Sequence, residues 1–258
     1  MEQTSLATGL PVEALEERRL LSAVVVDGTL VVVGTAGPDA IHIEEFSDEL
    51  VSRVVVYVGP PRDGQPESFR FPAADIHSII VRAGAGDDIV NFNASRLPGY
   101  RGVLVPARID AGIGNDEVYA TRRNDFIVGG FGNDTIYGGD GNDWIDGGWG
   151  DDFLDGQGHN DVVSGGRGND TVYGGSGDDR LFGGPGNDHV GFPGSGPLAA
   201  ELGNDVLSGG SGDDWMVGGS GTDRISGGVG RDHFSLEDDD AEILDRTAGE
   251  PKDVPPGV

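Results

Sequence analysis

From residue 111 to residue 235 the apolar positions recur neither every second residue nor at helical spacing, but every nine residues. Blocks begin at 111, 120, 129, 138, 147, 156, 165, 174 and 183, and after FPGSGPLA (residues 192–199) at 200, 209, 218 and 227. The eighth place is apolar in all thirteen, from Val118 through Ile145 and Leu181 to Phe234. The sixth is Asp in all thirteen, and the fourth is Gly in eleven. The last three residues of a block, centred on one inward apolar side chain, predict a minimal strand. The first six, GGxGxD, predict a tight turn, because glycine accepts positive φ and close backbone approach while Asp bonds nearby amides. Two blocks then return the chain to its starting edge one layer on. The expected fold is all-β: a right-handed parallel β-roll, or β-solenoid, of two sheets facing each other across the apolar row.

Upstream the pattern changes. Weaker copies, GTAGPDAIH (34–42) and AGAGDDIVN (83–91), keep the aspartate as Asp39 and Asp88 and the apolar place as Ile41 and Val90. Around them β-branched runs bounded by Gly, Pro and Asp read as strands, and Asp27-Gly28 between two runs reads as a hairpin turn. Residues 22–103 are expected to be a β-rich N-terminal cap with degenerate repeats, since an array of stacked strands needs a distinct end. The roll then covers 104–235. Residues 236–258 form a C-terminal cap and tail rich in Pro and Gly. Residues 1–21 are a leader or export-related segment, in which LEERRLLSA resembles a short N-terminal motif of exported bacterial surface proteins; a plain amphipathic lead-in helix is the other reading.

Charge sharpens this picture. The chain of 258 residues carries 45 acidic and 17 basic side chains, a net charge of −28, with one lysine, Lys252. Such an excess argues against nucleic acid or an anionic membrane as partner and for cations. No cysteine is present, so there is neither a disulfide framework nor a thiolate metal site. No apolar run is long enough to span a bilayer. Within 111–235, 21 acids against 6 arginines leave −15, a charge roughly eight divalent ions would balance.

Aspartates stacked one layer apart would repel unless something bridges them. Calcium takes 6 to 8 oxygens from carboxylates and carbonyls, both of which a glycine turn with an Asp supplies. Magnesium demands stricter octahedral geometry and keeps its waters. Zinc would want His or Cys, which no repeated place carries. The blocks GGFGNDTIY, GGDGNDWID and GGWGDDFLD resemble the RTX, or hemolysin-type, calcium-binding nonapeptide G-G-x-G-x-D-x-U-x, over about half the chain. The resemblance implies a parallel β-roll with calcium between turns eighteen residues apart, held by the sixth-place aspartates and by turn carbonyls, many from glycine. Carried onto this sequence, the aspartates are Asp116, Asp134, Asp143, Asp152, Asp161, Asp170, Asp179, Asp188, Asp205, Asp214, Asp223 and Asp232. The glycines are Gly129, Gly132, Gly138, Gly147, Gly150, Gly165, Gly168, Gly174, Gly183, Gly209, Gly218 and Gly227.

Three blocks depart from the pattern: ATRRND around Asp125, with Arg122 and Arg123 in the turn, GQGHND with His159, and AELGND after the interruption. All lie in one alternate set of blocks, hence on one edge of the roll. The expectation is one strong calcium row and one patchy row. Outward aromatics such as Tyr137, Trp144, Phe153 and Trp215 suit the covering of strands better than a partner stripe. HExxH and G-x-S-x-G are missing and the five histidines form no motif, so no enzyme is expected. The functional expectation is an exported, extracellular or surface-bound bacterial protein, monomeric, that binds several Ca2+ and folds in response. The alternative is a calcium-dependent polysaccharide-binding or polysaccharide-acting module.

Overall fold

The structure, a computed structural model, describes residues 22–47, 52–62, 65–92, 103–191, 203–235 and 242–245. The expected leader (1–21), the whole interruption (192–199) and most of the C-terminal tail lie outside the described residues.

Two sheets of eleven strands make up the fold. The first runs, in spatial order, β1 (Ser22–Val26), β2 (Thr29–Val33), β6 (Ser78–Ala85), β8 (Ala107–Ile113), β10 (Phe126–Phe131) and β12 (Trp144–Trp149). It continues through β14 (Val162–Arg167), β16 (Arg180–Pro185), β18 (Val206–Ser211), β20 (Arg224–Val229) and β22 (Glu242–Asp245). The second runs β5 (Gln65–Pro72), β4 (Ser52–Arg62), β3 (Ala40–Ser47), β7 (Ile89–Asn91), β9 (Glu117–Tyr119) and β11 (Thr135–Asp140). It continues through β13 (Phe153–Gly158), β15 (Thr171–Ser176), β17 (His189–Val190), β19 (Trp215–Val217) and β21 (His233–Ser235). The chain alternates between sheets from β6 onward, and every pair from there is parallel, as a β-roll requires.

The eighth-place side chains make the core. In the first sheet Ile127, Ile145, Val163, Leu181, Leu207 and Ile225 lie in register, each at most 1 % exposed. In the second, Val118, Ile136, Leu154, Val172, Val190, Met216 and Phe234 also lie in register, each at most 2 % exposed. One residue every nine suffices because each side chain stacks on its counterpart a coil away. The columns reach upstream through Ile109, Val81 and Val32, and through Val90 and Ile41, so the degenerate copies share one core with the repeats.

Strands in the repeats are longer than the expected three residues. Most run six, from the seventh place through the third place of the next block, as in Phe126–Phe131. The leading glycines of GGx therefore belong to the strand and pair in register, Gly130 with Gly112 and Gly148. At the N-terminal end the two sheets finish differently. The hairpin β1–β2 closes the first, and the antiparallel meander β3–β4–β5 closes the second. Ile43, Val54 and Val56 of the meander join the core, with Phe69 and Phe71 packed against it.

Between β16 and β18, and between β17 and β19, the register partners are twenty-six residues apart, Leu181 with Leu207 and Val190 with Met216, where the other repeat pairs are eighteen apart. The eight extra residues leave both sheets unbroken.

Turns on the two edges differ. On the edge formed by 129–134, 147–152 and 165–170, the fourth place is glycine with positive φ, 136° at Gly150. A β-carbon on Gly150 would overlap the Gly132 carbonyl of the preceding coil. On the other edge Gln157 and His159 occupy the left-handed region at φ 75° and 79°, a conformation that costs side-chain-bearing residues about 1 kcal/mol or more. His159→Gly is expected to raise the unfolding midpoint by removing about 1 kcal/mol of strain, and Gly150→Ala to lower it. Truncating the core, Leu154→Ala should cost about 2–5 kcal/mol in denaturant titration, against about 0.5 kcal/mol or less for the outward Ser208→Ala.

Candidate metal centre

The first-place residue of each described block is buried beneath the turn, as Gly129 and Gly147 are. The sixth-place aspartate folds back over it. All thirteen such aspartates from Asp116 to Asp232 are at most 4 % exposed, and Asp88 at 1 % and Asp39 at 5 % are buried with them. This burial is unusual for a carboxylate, and hydrogen bonding explains half of it. The Asp134 N–H donates to Asp152 Oδ1 at 2.8 Å, and the Asp152 N–H donates to Asp170 Oδ1 at 2.9 Å. Each aspartate thus reaches back one coil with Oδ1. On one edge the ladder is continuous from Asp39 through Asp88, Asp116 and onward to Asp232. On the other it runs from Asp125 through Asp143, Asp161, Asp179 and Asp205 to Asp223.

The second carboxylate oxygen has no such partner. Oδ2 of Asp88, Asp116, Asp134, Asp143, Asp152, Asp161, Asp170, Asp179, Asp188, Asp205 and Asp214 is buried without a hydrogen bond among the described residues. A buried acceptor left in this state is costly, and a column of like charges more so. Burial drives the carboxyls up from the ordinary aspartate range: Asp134 and Asp205 to about 7, and Asp152, Asp170, Asp188 and Asp214 to about 6. The ladder bonds oppose the rise, while neighbouring aspartates add to it; Asp161 reaches about 9.

The space in front of Oδ2 is kept clear by glycine. A β-carbon on Gly129 would overlap Asp134 Oδ2 and lie 2.6 Å from the Gly147 carbonyl oxygen of the next coil. The same cradle recurs at Gly138, Gly147, Gly165, Gly183 and Gly209, and Gly174, Gly218 and Gly227 face the Oδ2 of Asp179, Asp223 and Asp232. The fourth-place Gly132, Gly150 and Gly168 instead press their Cα against turn carbonyls of the coil before. Each turn therefore converges one carboxylate oxygen with backbone carbonyls. No group of three or more His, Cys, Asp or Glu side chains suited to a metal forms among the described residues, so carbonyl oxygens must complete any site. An all-oxygen donor set of this kind suits a hard cation such as calcium.

A second ladder was not anticipated. The fifth-place Asn or Asp reaches forward, in the opposite direction: Asn115 Oδ1 accepts from the Asn133 N–H, and Asn133 Oδ1 from the Asp151 N–H, at 2.8 and 2.9 Å. The other edge repeats it through Asn124, Asn142, Asn160, Asp178 and Asn204. The signal lay in the sequence, since the fifth place is Asn or Asp in eleven of thirteen blocks. The exceptions, Thr222 and Arg231, stand in the last turn of each edge, receiving such a bond with no later repeat turn to give one to.

Aromatic side chains line up along the coil axis. Phe126 and Trp144 stack at 4.2 Å, Arg108 lies over the Phe126 ring, and Arg167 over Trp149. Tyr119 and Tyr137 stack at 5.0 Å. Their faces are turned to one another, which covers the strands and leaves ring edges outward.

The family model for the RTX calcium-binding nonapeptide repeat (4 copies) matches residues 119–154, 155–190 and 200–234. These segments are RTX calcium-binding repeats. The buried aspartate series of the RTX array fits calcium-binding turns, and a comparison with curated proteins returns no match. Among the described residues no helix is long and apolar enough to cross a membrane.

Without calcium the raised carboxyls set a pH dependence. Unfolded aspartates titrate near 3.9, so between about pH 4 and pH 7 the folded chain holds more protons than the unfolded one. That stability is fully present below about pH 4 and is lost as pH rises through the folded values of about 6 to 7. Circular dichroism in chelator should therefore show more β-structure at pH 5 than at pH 8; the reverse order would contradict the burial of Oδ2.

Proposed function

We propose that this chain is an exported calcium-binding protein whose RTX array folds only when it meets calcium, and that it serves a structural role at a surface or in a matrix rather than a catalytic one. The observation that carries this reading is the row of buried Oδ2 atoms, most of them facing a glycine-lined cradle as Asp134, Asp152 and Asp170 do. The ligands are the sixth-place aspartates from Asp116 to Asp232 other than Asp125, with carbonyls of the turn glycines. Calcium would supply the positive charge that lets these carboxylates stay ionised in the interior.

An ion that binds the folded turns and not the extended chain stabilises folding by mass action. Where free calcium is scarce, as inside a cell, the array stays largely unfolded and suited to passage as an extended chain. Where calcium is abundant it folds. The net charge of −28 works the same way, since self-repulsion opposes the compact state until cations reduce it. The edge through Asp134, Asp152 and Asp170 should hold its ions more tightly than the edge carrying Arg122, Arg123 and His159.

Circular dichroism at neutral pH should change from mostly disordered to β-rich on adding calcium, with far less response to magnesium; a spectrum indifferent to calcium would refute the reading. Asp152→Asn should raise the calcium concentration at the folding midpoint several-fold, while Asp151→Asn, whose side chain is exposed, should shift it much less.

A further inference from the structure

Fifteen aspartates occupy the sixth place of a turn, counting Asp39 and Asp88, and their ladders make them look equivalent. Two are not. The Thr35 N–H donates to Asp39 Oδ2 at 2.6 Å. The Thr121 N–H donates to Asp125 Oδ2 at 2.7 Å, and the Thr121 hydroxyl lies 2.8 and 2.9 Å from Oδ2 and Oδ1 of the same carboxylate. Both threonines stand in the second place of the turn, four residues before the aspartate, where the regular blocks have glycine. Each is the first turn of its edge. In these two turns the oxygen that lacks a partner in eleven of the other aspartates, from Asp88 to Asp214, is satisfied by the protein itself.

Asp88 is the opposite case. It lies outside the family match, in the degenerate copy AGAGDDIVN of the expected cap, yet its Oδ2 is buried without a partner and the residue is 1 % exposed. Its turn, AGAGDD (83–88), is stacked on AGIGND (111–116) in the manner of the matched repeats. The Asp88 N–H donates to Asp116 Oδ1 at 2.7 Å, and Asp87 Oδ1 accepts from the Asn115 N–H at 2.8 Å. Gly112 and Gly114 abut the carbonyls of Gly84 and Gly86, just as Gly130 and Gly132 abut those of Gly112 and Gly114. Gly84 and Gly86 take the same positive φ, 119° and 117°. The first place is Ala83, as it is Ala111 in the turn stacked on it, whereas from Gly129 onward this edge has glycine there.

We propose that each metal row begins one coil after a threonine-closed turn: one row at Asp88, in a cation site between residues 83–88 and 111–116, and the other at Asp143, while Asp39 and Asp125 ligate nothing. This rests on the calcium reading above and adds a site to it. The threonine turns stand in for the ion at the start of each row, where no earlier metal-bound coil exists to build on. Asp88 then offers one carboxylate oxygen and the stacked turn carbonyls, a donor set for a hard divalent cation. Ala83 makes it a weaker site than those from Gly129 onward in its row.

Calcium ions bound to the full chain can be counted by native mass spectrometry at saturating calcium, with circular dichroism of the same samples as a check on folding. Asp88→Asn is expected to lose one ion, while Asp39→Asn and Asp125→Asn keep the full complement. An unchanged count in Asp88→Asn, or an ion lost from either of the other two, would overturn the proposal. If the parent binds no calcium at all, the calcium reading itself fails, which is a different result. Should Asp88→Asn not fold, Ala83→Gly serves instead. Relieved of the methyl, it should hold one more ion than the parent at calcium levels that only partly load the array, and an identical loading curve would refute the site.

Discussion

The fold turns on a carboxylate with one oxygen bound and the other bare. Oδ1 of each sixth-place aspartate fastens its turn to the coil before, so the side chain cannot swing out to water without breaking a buried hydrogen bond. From Asp88 to Asp214, the threonine-closed Asp125 apart, Oδ2 is carried inside by the same geometry and left without a donor among the described residues. Lining these groups up along an edge concentrates like charge where it is least tolerated. The rest of the turn follows from that arrangement. Glycine at the first place leaves room before Oδ2, and glycine at the fourth lets one turn lie flat against the next. The apolar column is thin, one side chain per strand, and a coil cannot stand on it alone.

Much of this was legible in the chain, because a repeat can be read by comparison with itself. The eighth and sixth places stood out through their constancy, and the eighteen-residue coil and paired parallel sheets followed from counting. What escaped was what depends on a partner a full coil away. The fifth-place ladder joins Asn133 to a backbone amide eighteen residues on, and nothing about an asparagine in a turn announces a bond to a distant N–H. Only its loss at Thr222 and Arg231, in the last turns, marks its purpose. Strand length was misjudged for a related reason. Glycine is a poor strand former by propensity, yet Gly130 stays extended because its neighbours above and below are glycines doing the same. Asp39 and Asp125 match the others letter for letter, and only a threonine four residues earlier sets them apart.

The two ladders give the roll a polarity. Aspartates hook backward toward the N-terminus, and the fifth-place residues hook forward. Every turn is therefore held to its predecessor and its successor by side chains of different kinds. A slip of one block would put a turn on the opposite edge, and a slip of two would leave an unmatched turn at an end. Register is set locally, coil by coil, with no need for a large core to enforce it. The same locality lets the two edges differ: Gln157 and His159 are accommodated as left-handed residues on one edge while the other keeps its glycines.

The widened step between Leu181 and Leu207 shows what such local bookkeeping permits. Eight residues enter the chain between two repeats, and the strands, both ladders and the apolar columns close across them as though nothing had been added. A sandwich or barrel with one shared core would pass such a disturbance to its neighbours. Here the point of entry after Gly191 is a doorway in a wall of like bricks. It is the natural place for descendants of this chain to have acquired a loop, a recognition epitope or a whole guest domain, and the place an engineer would choose to display one.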